Sequence, residues 1–430
     1  MKKILSNIFI FLISSVIFCG NLYAWQPGQP HDRYRLQKIV ILSRHNIRAP
    51  MTATGGVLDR VTPHEWFKWT SEPTELSVLG GQMETMMGQF FRKWLASEGF
   101  MPENYVPKRG EVLFLANSKQ RTIATAQYFS SGMLPVANVR IEHRKVGEFT
   151  PTFSLNLDFA GRNYETLVSQ QFDLIGGKDM LEGRDSRLNE GFAALEKALD
   201  YSQSAAAEEK NAHFTAKDTK ITLEKGKGSS MRGTITSAVQ AADALVLQYY
   251  EETDDRKAAF GHSMSFEEWQ SIGRISSHYG SMLIRTPAVA VNISNPMIRL
   301  LARELSDSKR RFSFVCGHDS TIASVMAALN AETLSLPDAV ETVVPIGGKL
   351  MIAKWMGNDG KEYASVDMVY QNVRQIRGRE TLSLQNPPSV YPVILQNLPQ
   401  NEDGFYMYSD VIQRFAEAIS SFRQIKKISN

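Results

Sequence analysis

A short apolar segment that ends in a cationic cluster constrains this chain most. Residues 38–42 form the apolar run, and residues 44–50 follow with the sequence Arg-His-Asn-Ile-Arg-Ala-Pro. An apolar run of this length is typical of a buried parallel strand. The imidazole of His45 lies between Arg44 and Arg48 in the sequence. These two arginines cannot lose their charge, and they lower the pKa of that imidazole. A neutral imidazole is a nucleophile and two guanidiniums suit a phosphoryl group, so the cluster predicts phosphate chemistry at a strand end.

A second motif argues against the simpler interpretation of the cluster as a basic surface strip. Residues 316–320, Cys-Gly-His-Asp-Ser, follow the apolar run 312–315 and precede an apolar helical stretch at 321–329. Gly317 allows a sharp turn and a close approach to a ligand. Asp319 and Ser320 occupy the place where a helix N-cap is expected, and a helix N-terminus attracts anions. Taken alone, Asp319 would be interpreted as a helix cap and His318 as a packed core histidine. Because the first motif is also present, both residues are better interpreted as parts of a site.

Together the two motifs resemble those of the histidine acid phosphatase family, branch 2 of the histidine phosphatase superfamily. That family carries Arg-His-Gly-x-Arg-x-Pro near its N-terminus and His-Asp in its C-terminal third. Its third element is an arginine on the helix after the second strand, and Arg121 within residues 117–126 matches it. The likeness extends to residues 151–153 and 345–349, so it covers nearly the whole chain after residue 24.

One position of the first motif departs from the commoner family pattern. Asn46 stands where most members have glycine. In this respect, and around residues 248–251 and 369–371, the chain is similar to the bacterial periplasmic glucose-1-phosphatases of the family, which also includes periplasmic phytases. The Asn46 amide either reaches a substrate hydroxyl or the phosphate rim, or asparagine replaces glycine because it tolerates a left-handed backbone. Both interpretations stay open at this point.

The resemblance also implies a role for each site residue. His45 would attack phosphorus to give a phosphohistidine, while its other ring nitrogen donates to a backbone carbonyl. Asp319 would protonate the leaving alkoxide and then activate water. Because an ordinary Asp is ionised at neutral pH, we predict an acid optimum. The nonbridging oxygens would be bound by Arg44, Arg48, Arg121 and His318.

No metal or other cofactor is expected. Two of the eight histidines belong to the motifs, and the others show no spacing typical of metal ligands. The thiol of Cys316 is expected to be a buried small side chain rather than a nucleophile, since no separate base for it is evident.

The first 24 residues have the features of a secretory signal peptide. Lys2 and Lys3 precede an apolar run at residues 8–19, and a cleavage-type segment ends at Ala24. The apolar run is too short for a membrane span. Cys19 is not expected to carry a lipid, because Phe18 precedes it where a small residue is required. We therefore predict a periplasmic or secreted protein with no stable membrane insertion after cleavage.

Charge and cysteine content limit the partners. Of 48 Lys and Arg, cleavage removes Lys2 and Lys3, which leaves 46 against 45 Asp and Glu. A formal charge so near zero argues against nucleic acid as a partner, so a small-molecule phosphate monoester must be attracted by local arginines. Of the two cysteines only Cys316 would remain, so no disulfide can form within the mature chain. The sequence does not indicate an oligomeric state.

The predicted fold class is α/β: a mixed-sheet domain with helices on both faces, plus an inserted, mainly α-helical domain. The α/β domain is discontinuous, at residues 25–150 and 287–430, and the insert covers residues 151–286. An exposed loop is expected at residues 217–232. Predicted strands lie at 38–42, 111–116, 139–144, 311–315, 349–355 and 365–370, and predicted helices at 77–98, 119–129, 186–210, 234–251, 266–281 and 410–424.

The expected activity is that of a metal-independent acid phosphomonoesterase acting on a hexose phosphate such as glucose 1-phosphate. Residues 51–70, beside the first motif, contain only Arg60 and Lys68 among their Lys and Arg positions. They offer instead Trp66, Phe67 and Trp69, which either stack on a sugar ring or merely pack. A broad acid phosphatase or phytase is the alternative within the enzyme class. A phosphoester-binding protein without turnover is the alternative from another class.

Overall fold

The computed structural model describes residues 32–51, 56–209 and 213–429, so the predicted signal peptide lies outside the described residues. The strands are β1 Tyr34–Arg44, β2 Val112–Ala116, β3 Lys220–Thr222, β4 Ser230–Arg232, β5 Phe312–Gly317, β6 Lys349–Gly357, β7 Glu362–Tyr370, β8 Ser389–Pro392 and β9 Tyr406–Met407. The helices are α1 Val57–Arg60, α2 Val78–Ser97, α3 Gln120–Met133, α4 Arg162–Leu174, α5 Gly177–Leu181, α6 Ser186–Leu199, α7 Ala205–Glu209, α8 Thr234–Glu251, α9 Asp255–Ala258, α10 Phe266–Arg274, α11 Met282–Arg285, α12 Pro287–Ser306, α13 Asp319–Ala328, α14 Val373–Arg377 and α15 Tyr408–Ile428. Two 3₁₀ turns, Pro151–Phe153 and Tyr201–Gln203, and a π-helical turn, Ile275–Tyr279, complete the helical elements of the described ranges.

A seven-stranded mixed sheet organises the molecule and confirms the predicted fold class. Its strand order is β2-β5-β1-β6-β7-β8, with β9 paired to β7. The strands β2, β5 and β1 are parallel, and the others join them in antiparallel pairs. Arg44 lies opposite Gly317, and Ala116 lies opposite Cys316. The carboxyl ends of the three parallel strands therefore meet at one edge, the usual place for a ligand site in such sheets.

Helices cover both faces of this sheet, and β1 shows why its sequence is continuously apolar. Ile39 and Ile41 pack into the cluster that contains residues of α2 and α3. Val40 and Leu42 pack into the other cluster, which is built from α12, α13 and α15. Successive side chains of a strand point to opposite faces, so a strand that is buried on both faces carries no polar alternation.

The helix α2, predicted at 77–98, packs a Met-rich stripe into the core. Ser77 is the N-cap and accepts a hydrogen bond from the backbone N–H of Gly80. Gly88 allows α2 and α3 to approach closely, because a Cβ there would lie 2.2 Å from the carbonyl oxygen of Phe129. Five buried side chains of the stripe are Met83, Met87, Phe90, Phe91 and Trp94.

The segment predicted as the insert contains α4 to α11 and supplies most of one large hydrophobic cluster. That cluster also takes in Ile47, Val340 and Ile346, which come from the sheet edge. The helical segment therefore packs directly against the ends of the parallel strands. The domain boundaries at residues 151 and 287 stay a prediction. None of the helices in the described ranges is long and apolar enough to cross a membrane.

Three local predictions were wrong. The strand expected at 139–144 makes only one isolated bridge, between Glu142 and Leu115. Its side chains are exposed or half-exposed, and only Val139 and Ile141 pack against the hydrophobic cluster of the sheet. The expected loop at 217–232 contains the hairpin of β3 and β4. The helix expected at 186–210 ends at Leu199, where Asp200 takes a left-handed conformation with φ of 48°. The helical stretch expected at 266–281 is confirmed, since α10 covers Phe266–Arg274 and the π turn Ile275–Tyr279 continues it.

Candidate active site

Backbone hydrogen bonds tie the first motif to the strand ends. The N–H of His45 donates to the carbonyl oxygen of Gly317 at 3.1 Å, and the N–H of Arg44 donates to that of Gly348 at 2.8 Å. Gly347 returns a bond to the carbonyl oxygen of His45 at 3.1 Å. Its φ of +64° is left-handed, and a Cβ there would meet the Asn46 amide nitrogen at 2.6 Å, so glycine is required.

A cavity of about 360 Å³ opens at this edge. The structure brings all six residues predicted for the site into its wall, although they come from β1, the segment after it, α3 and the start of α13. They are Arg44, His45, Arg48, Arg121, His318 and Asp319.

The His45 imidazole is held in one orientation. Its Nδ1 lies 2.8 Å from the carbonyl oxygen of Asn46. Since a carbonyl oxygen only accepts, Nδ1 carries the hydrogen and Nε2 keeps its lone pair. Burial, and after it the charges of Arg121 and Arg48, lower the pKa of His45 well below its usual value. Sequence reasoning attributed this shift to the flanking arginines, but desolvation is the larger cause.

The three arginines have unused donors. The Nε atoms of Arg44, Arg48 and Arg121 are buried and have no hydrogen-bond partner in the described structure. An unsatisfied buried charged donor is costly unless a ligand accepts from it. Burial, together with the neighbouring charge of Arg48, lowers the pKa of Arg121 to about 10, so it is still cationic at neutral pH. These donors suit the oxygens of a tetrahedral dianion.

Two acidic partners of these arginines were missed by sequence reasoning. Glu341 accepts from Arg44 Nη1 at 2.6 Å, and the hydroxyl of Tyr250 donates to the same carboxylate at 2.8 Å. Asp243, on α8, accepts from Arg48 Nη2 at 2.9 Å. Although burial alone would lower the pKa of Arg44, Glu341 raises it above the ordinary value. No motif marks these carboxylates, and they lie far from the arginines in sequence.

Asn117 sets the hydrogen position of His318. Its Oδ1 accepts from the N–H of Ser118 at 2.8 Å, so its Nδ2 is the atom that faces His318 Nε2, also at 2.8 Å. Nε2 therefore accepts, and Nδ1 carries the hydrogen. Burial, and after it the charge of Arg121, lower the pKa of His318, so the ring is a neutral donor. Asn117 lies within the segment that resembles the family, yet its function was not predicted.

Asp319 is the first residue of α13, and His318 rather than Asp319 or Ser320 is its N-cap. The Asp319 Oδ2 lies 3.5 Å from Arg44 Nη2, and half of the side chain (50%) is exposed. Burial would raise the pKa of Asp319, but Arg44 and the N–H of Ser320 lower it below the ordinary value. In the ligand-free site the group is therefore a carboxylate, and protonation requires acid.

Both interpretations of Asn46 were wrong. Its backbone is not among those with positive φ, and its side chain, 3% exposed, does not line the cavity. Instead Nδ2 donates to Glu84 Oε2 at 2.8 Å, and Oδ1 accepts from the N–H of Ile47 at 2.9 Å. Glu84 Oε1 in turn lies 2.8 Å from Lys349 Nζ. Asn46 thus connects the loop of His45 to a buried ion pair.

The aromatic residues 66, 67 and 69 lie elsewhere. They line a second cavity of about 380 Å³ and not the one that holds His45. The Trp66 indole N–H donates to the carbonyl oxygen of Leu58 at 3.0 Å, and its ring packs edge-on against Phe260. Of the two interpretations, packing is therefore the one observed for Trp66.

Cys316 is buried behind the site, and burial raises the pKa of its thiol, as expected for a side chain that packs. Within residues 32–51, 56–209 and 213–429, no group of three or more His, Cys, Asp or Glu side chains is arranged to hold a metal ion.

Comparisons with known proteins agree with this geometry. A family model described as the histidine phosphatase superfamily (branch 2) matches residues 35–371. A glucose-1-phosphatase of Salmonella typhimurium is 32% identical over 382 residues, which cover 87% of this chain and 90% of that protein. A glucose-1-phosphatase of Providencia rettgeri is 29% identical and covers 89% of this chain and 92% of its own length.

Solved structures show the same fold. The apo form of Hafnia alvei phytase superposes with a TM-score of 0.82 at 24% identity, covering 91% of this chain and 98% of that one. These matches confirm the family that the motifs predicted. The chain belongs to branch 2 of the histidine phosphatase superfamily and is a phosphatase that hydrolyses phosphate esters.

Proposed function

We propose that this phosphatase is an exported acid phosphomonoesterase that hydrolyses a hexose phosphate such as glucose 1-phosphate through a phosphohistidine. The observation that carries the proposal is the state of His45. Its imidazole is neutral and its Nε2 is unprotonated, beside three guanidiniums that each keep an unpartnered buried Nε. A nucleophile surrounded by anion-binding donors suits attack on a phosphate dianion.

In the first step, His45 Nε2 attacks phosphorus and the bond to the ester oxygen breaks. Arg44, Arg48 and Arg121 compensate charge on the nonbridging oxygens, and the Nδ1–H of His318 donates to the same group. The departing sugar oxygen takes a proton from Asp319. Binding of a phosphate dianion between Arg44 and Asp319 raises the pKa of that carboxyl, which favours the protonated donor.

In the second step, water attacks the phosphorus of the phosphohistidine. Asp319, now a carboxylate, takes a proton from the water, the phosphorus–nitrogen bond breaks, and inorganic phosphate leaves. His45 Nε2 regains its lone pair, while the Asn46 carbonyl holds the Nδ1 hydrogen in place throughout. Dividing one difficult hydrolysis into two transfers is the advantage of a covalent intermediate.

Two lines of support bear on the substrate and the compartment. The relatives at 32% and 29% identity are named glucose-1-phosphatases, whereas a phytase of Escherichia coli is 24% identical. Residues 1–24 have the pattern of a cleaved signal peptide, which favours a periplasmic or secreted enzyme. Phytate remains the alternative substrate, since phytases share the fold.

The test is phosphate release from glucose 1-phosphate, glucose 6-phosphate, phytate and p-nitrophenyl phosphate, from about pH 4 to about pH 7 with EDTA present. We expect acid-optimal, EDTA-resistant turnover with glucose 1-phosphate preferred, and its loss in His45→Ala. After rapid quenching without acid, we expect phosphorus NMR to detect a phosphohistidine in the wild type and none in the variant. A folded wild-type protein that binds these esters without turnover would support the binding-protein alternative instead.

A further inference from the structure

A second cavity lies beside the candidate active site, and the proposed mechanism does not use it. Its volume is about 380 Å³, within the usual range for small-molecule pockets, about 300–1,000 Å³. One segment of the chain contributes to both cavities. Arg48 and Met51 line the first cavity, whereas Ala49 and Pro50 between them line the second. No described residue lines both cavities, so the second is a separate place for a ligand.

The loop that forms most of the second cavity, residues 66–73, is held near both of its ends. The N–H of Phe67 donates to Gln248 Oε1 at 2.8 Å, and the Gln248 side chain is itself buried in the helical segment. Directly after the loop, the N–H of Thr74 donates to the carbonyl oxygen of Pro50 at 3.1 Å. A wall that is fixed before a ligand arrives loses less conformational freedom when the ligand binds.

Two polar atoms of the lining residues lack partners. Trp69 Nε1 and Ser71 Oγ are shielded from solvent and have no hydrogen-bond partner in the described structure. Buried tryptophan N–H groups usually find an acceptor, and leaving one unsatisfied is costly. The indole nitrogen only donates, whereas the serine hydroxyl can donate and accept. A ligand that satisfies both atoms must therefore offer an acceptor to Trp69.

The charges of the cavity wall indicate an uncharged ligand. Among the described lining residues the charged side chains are Asp59 and Glu72, and both are acidic. They disfavour a phosphate ester or another anion, because like charges repel. A cation would suit the carboxylates, but it offers no acceptor to the N–H of Trp69. Neutral hydroxyl groups meet both requirements, since they accept from the indole and donate to carboxylates.

Aromatic rings supply the apolar part of the wall. Phe67 and Trp69 lie edge to face, with their ring centroids 5.3 Å apart and their planes at 71°. Both side chains are half-buried. A pyranose ring presents apolar C–H faces together with hydroxyl groups. A pocket with aromatic walls and a few polar groups suits a ligand of this mixed character.

We propose that the second cavity binds a neutral hexose, at a site separate from the one that hydrolyses the phosphate ester. The sugar ring packs on Phe67 and Trp69, the Trp69 N–H donates to one sugar hydroxyl, and the Ser71 hydroxyl bonds another. The ligand is a free hexose or the terminal hexose of a glycan, since both present the same ring and hydroxyls. The proposal does not depend on which ester the enzyme hydrolyses.

The test is a saturation-transfer NMR titration of the whole enzyme with glucose and with maltotriose, in the presence of inorganic phosphate to occupy the arginines of the active site. We expect glucose to bind with a Kd on the order of 1 mM, as is usual for a neutral ligand of its size. Tighter binding of maltotriose would identify the end of a glycan as the ligand. Equal or weaker binding would identify the free sugar.

The variants Trp69→Phe and Ser71→Ala place the sugar in this cavity. Each removes one hydrogen-bonding group, so each should raise the Kd of the sugar about threefold to tenfold. The matched control is Ser169→Ala on the exposed surface of α4, which should leave the Kd unchanged. Urea unfolding checks that the variants fold, and if Trp69→Phe does not, Ser71→Ala decides alone.

A further variant keeps this test separate from that of the proposed function. In His45→Ala, phosphate hydrolysis should be lost while the Kd of glucose stays at the wild-type value. No binding of either sugar would overturn the proposal, as would a wild-type Kd in both Trp69→Phe and Ser71→Ala. Tetramethylammonium is the probe for a cation site, and tighter binding of it than of glucose would also overturn the proposal.

Discussion

Lys349 Nζ lies 2.8 Å from Glu84 Oε1, and neither side chain is exposed to solvent at all. Glu84 also accepts from the amide of Asn46, whose carbonyl oxygen holds the Nδ1 hydrogen of His45. A single residue, Asn46, therefore connects a buried ion pair to the proposed nucleophile, His45. Through these hydrogen bonds it supports the loop that carries His45.

We expect Lys349→Met to destabilise the protein by about 3–5 kcal/mol, because Glu84 is left as an uncompensated buried charge. The double variant Lys349→Met/Glu84→Gln should recover a large part of that loss. The measurement is urea unfolding at pH 7, with the exposed variant Lys93→Met on α2 as control. If the double variant is less stable than Lys349→Met alone, the ion pair is not the cause.

Asp319→Asn should separate substrates by their leaving groups. A general acid contributes about 10²–10⁴-fold, so turnover of glucose 1-phosphate should fall by at least about a hundredfold. p-Nitrophenolate needs little protonation, so the loss on that ester should stay below about tenfold. Equal losses on the two esters would contradict the assignment of Asp319 as proton donor.

The pKa of the same carboxyl predicts how activity depends on pH. Arg44 lowers the pKa of Asp319 in the free enzyme despite burial, so its protonated fraction falls as pH rises through a value below that of an ordinary Asp. The kcat/KM profile for glucose 1-phosphate should therefore decrease with increasing pH, and that decrease should be absent in Asp319→Asn. The measurement is kcat/KM from about pH 3 to about pH 7, with stability checked at each pH. A wild-type profile that rises over this range would contradict the sign.

Asn117→Ala should impair catalysis more than folding. Without the amide, His318 is free to place its hydrogen on Nε2 instead of Nδ1, and the donor to the phosphate is lost in part. We expect kcat to fall about 10–100-fold, and the unfolding free energy to fall by only about 1–2 kcal/mol. Asn117→Asp is an informative second variant. Its carboxylate stabilises the protonated ring of His318 and should shift the acid limb of the pH profile. Wild-type kcat in Asn117→Ala would show that the tautomer does not matter.

Asp367, on β7, gives a stability prediction that is independent of the site. Its Oδ2 is buried without a hydrogen-bond partner, and burial raises its pKa to about 7. The folded state keeps this proton up to about pH 7, whereas the unfolded chain releases it near about pH 4. The contribution of this carboxyl to the free energy of unfolding is therefore fully present below about pH 4 and is lost progressively towards about pH 7.

Asp367→Asn should remove the loss of stability that deprotonation of Asp367 causes as pH rises. At pH 7 the variant should therefore be more stable than the wild type by a few kcal/mol. Unfolding free energies from denaturant titrations at several pH values measure it. The control is Asp173→Asn on the exposed surface of α4. Parallel pH curves for the wild type and Asp367→Asn would exclude the effect.

The features that could be predicted are those formed by residues close together along the chain. The ends of β1 and β5 and the residues after them were found because a buried strand followed by polar residues leaves a clear pattern, and Arg121 was found through the family resemblance. Glu341 and Asn117 left no such pattern, since their function depends on which atoms the fold brings within 3 Å of Arg44 and His318. Asn46 was misinterpreted for the same reason.

The position of β1 between β5 and β6 has a consequence for when activity appears during synthesis. The strand that ends at Arg44, directly before His45, has no neighbour in the sheet until residues 312–317 and 349–357 pair with it. Contacts so distant along the chain form late and slowly. A chain made only as far as residue 311 therefore carries His45 and the three arginines but neither His318 nor Asp319. We therefore expect no hydrolysis until the residues that complete β5 and β6, up to 357, have been made, so the strand order itself would keep the unfinished enzyme inactive.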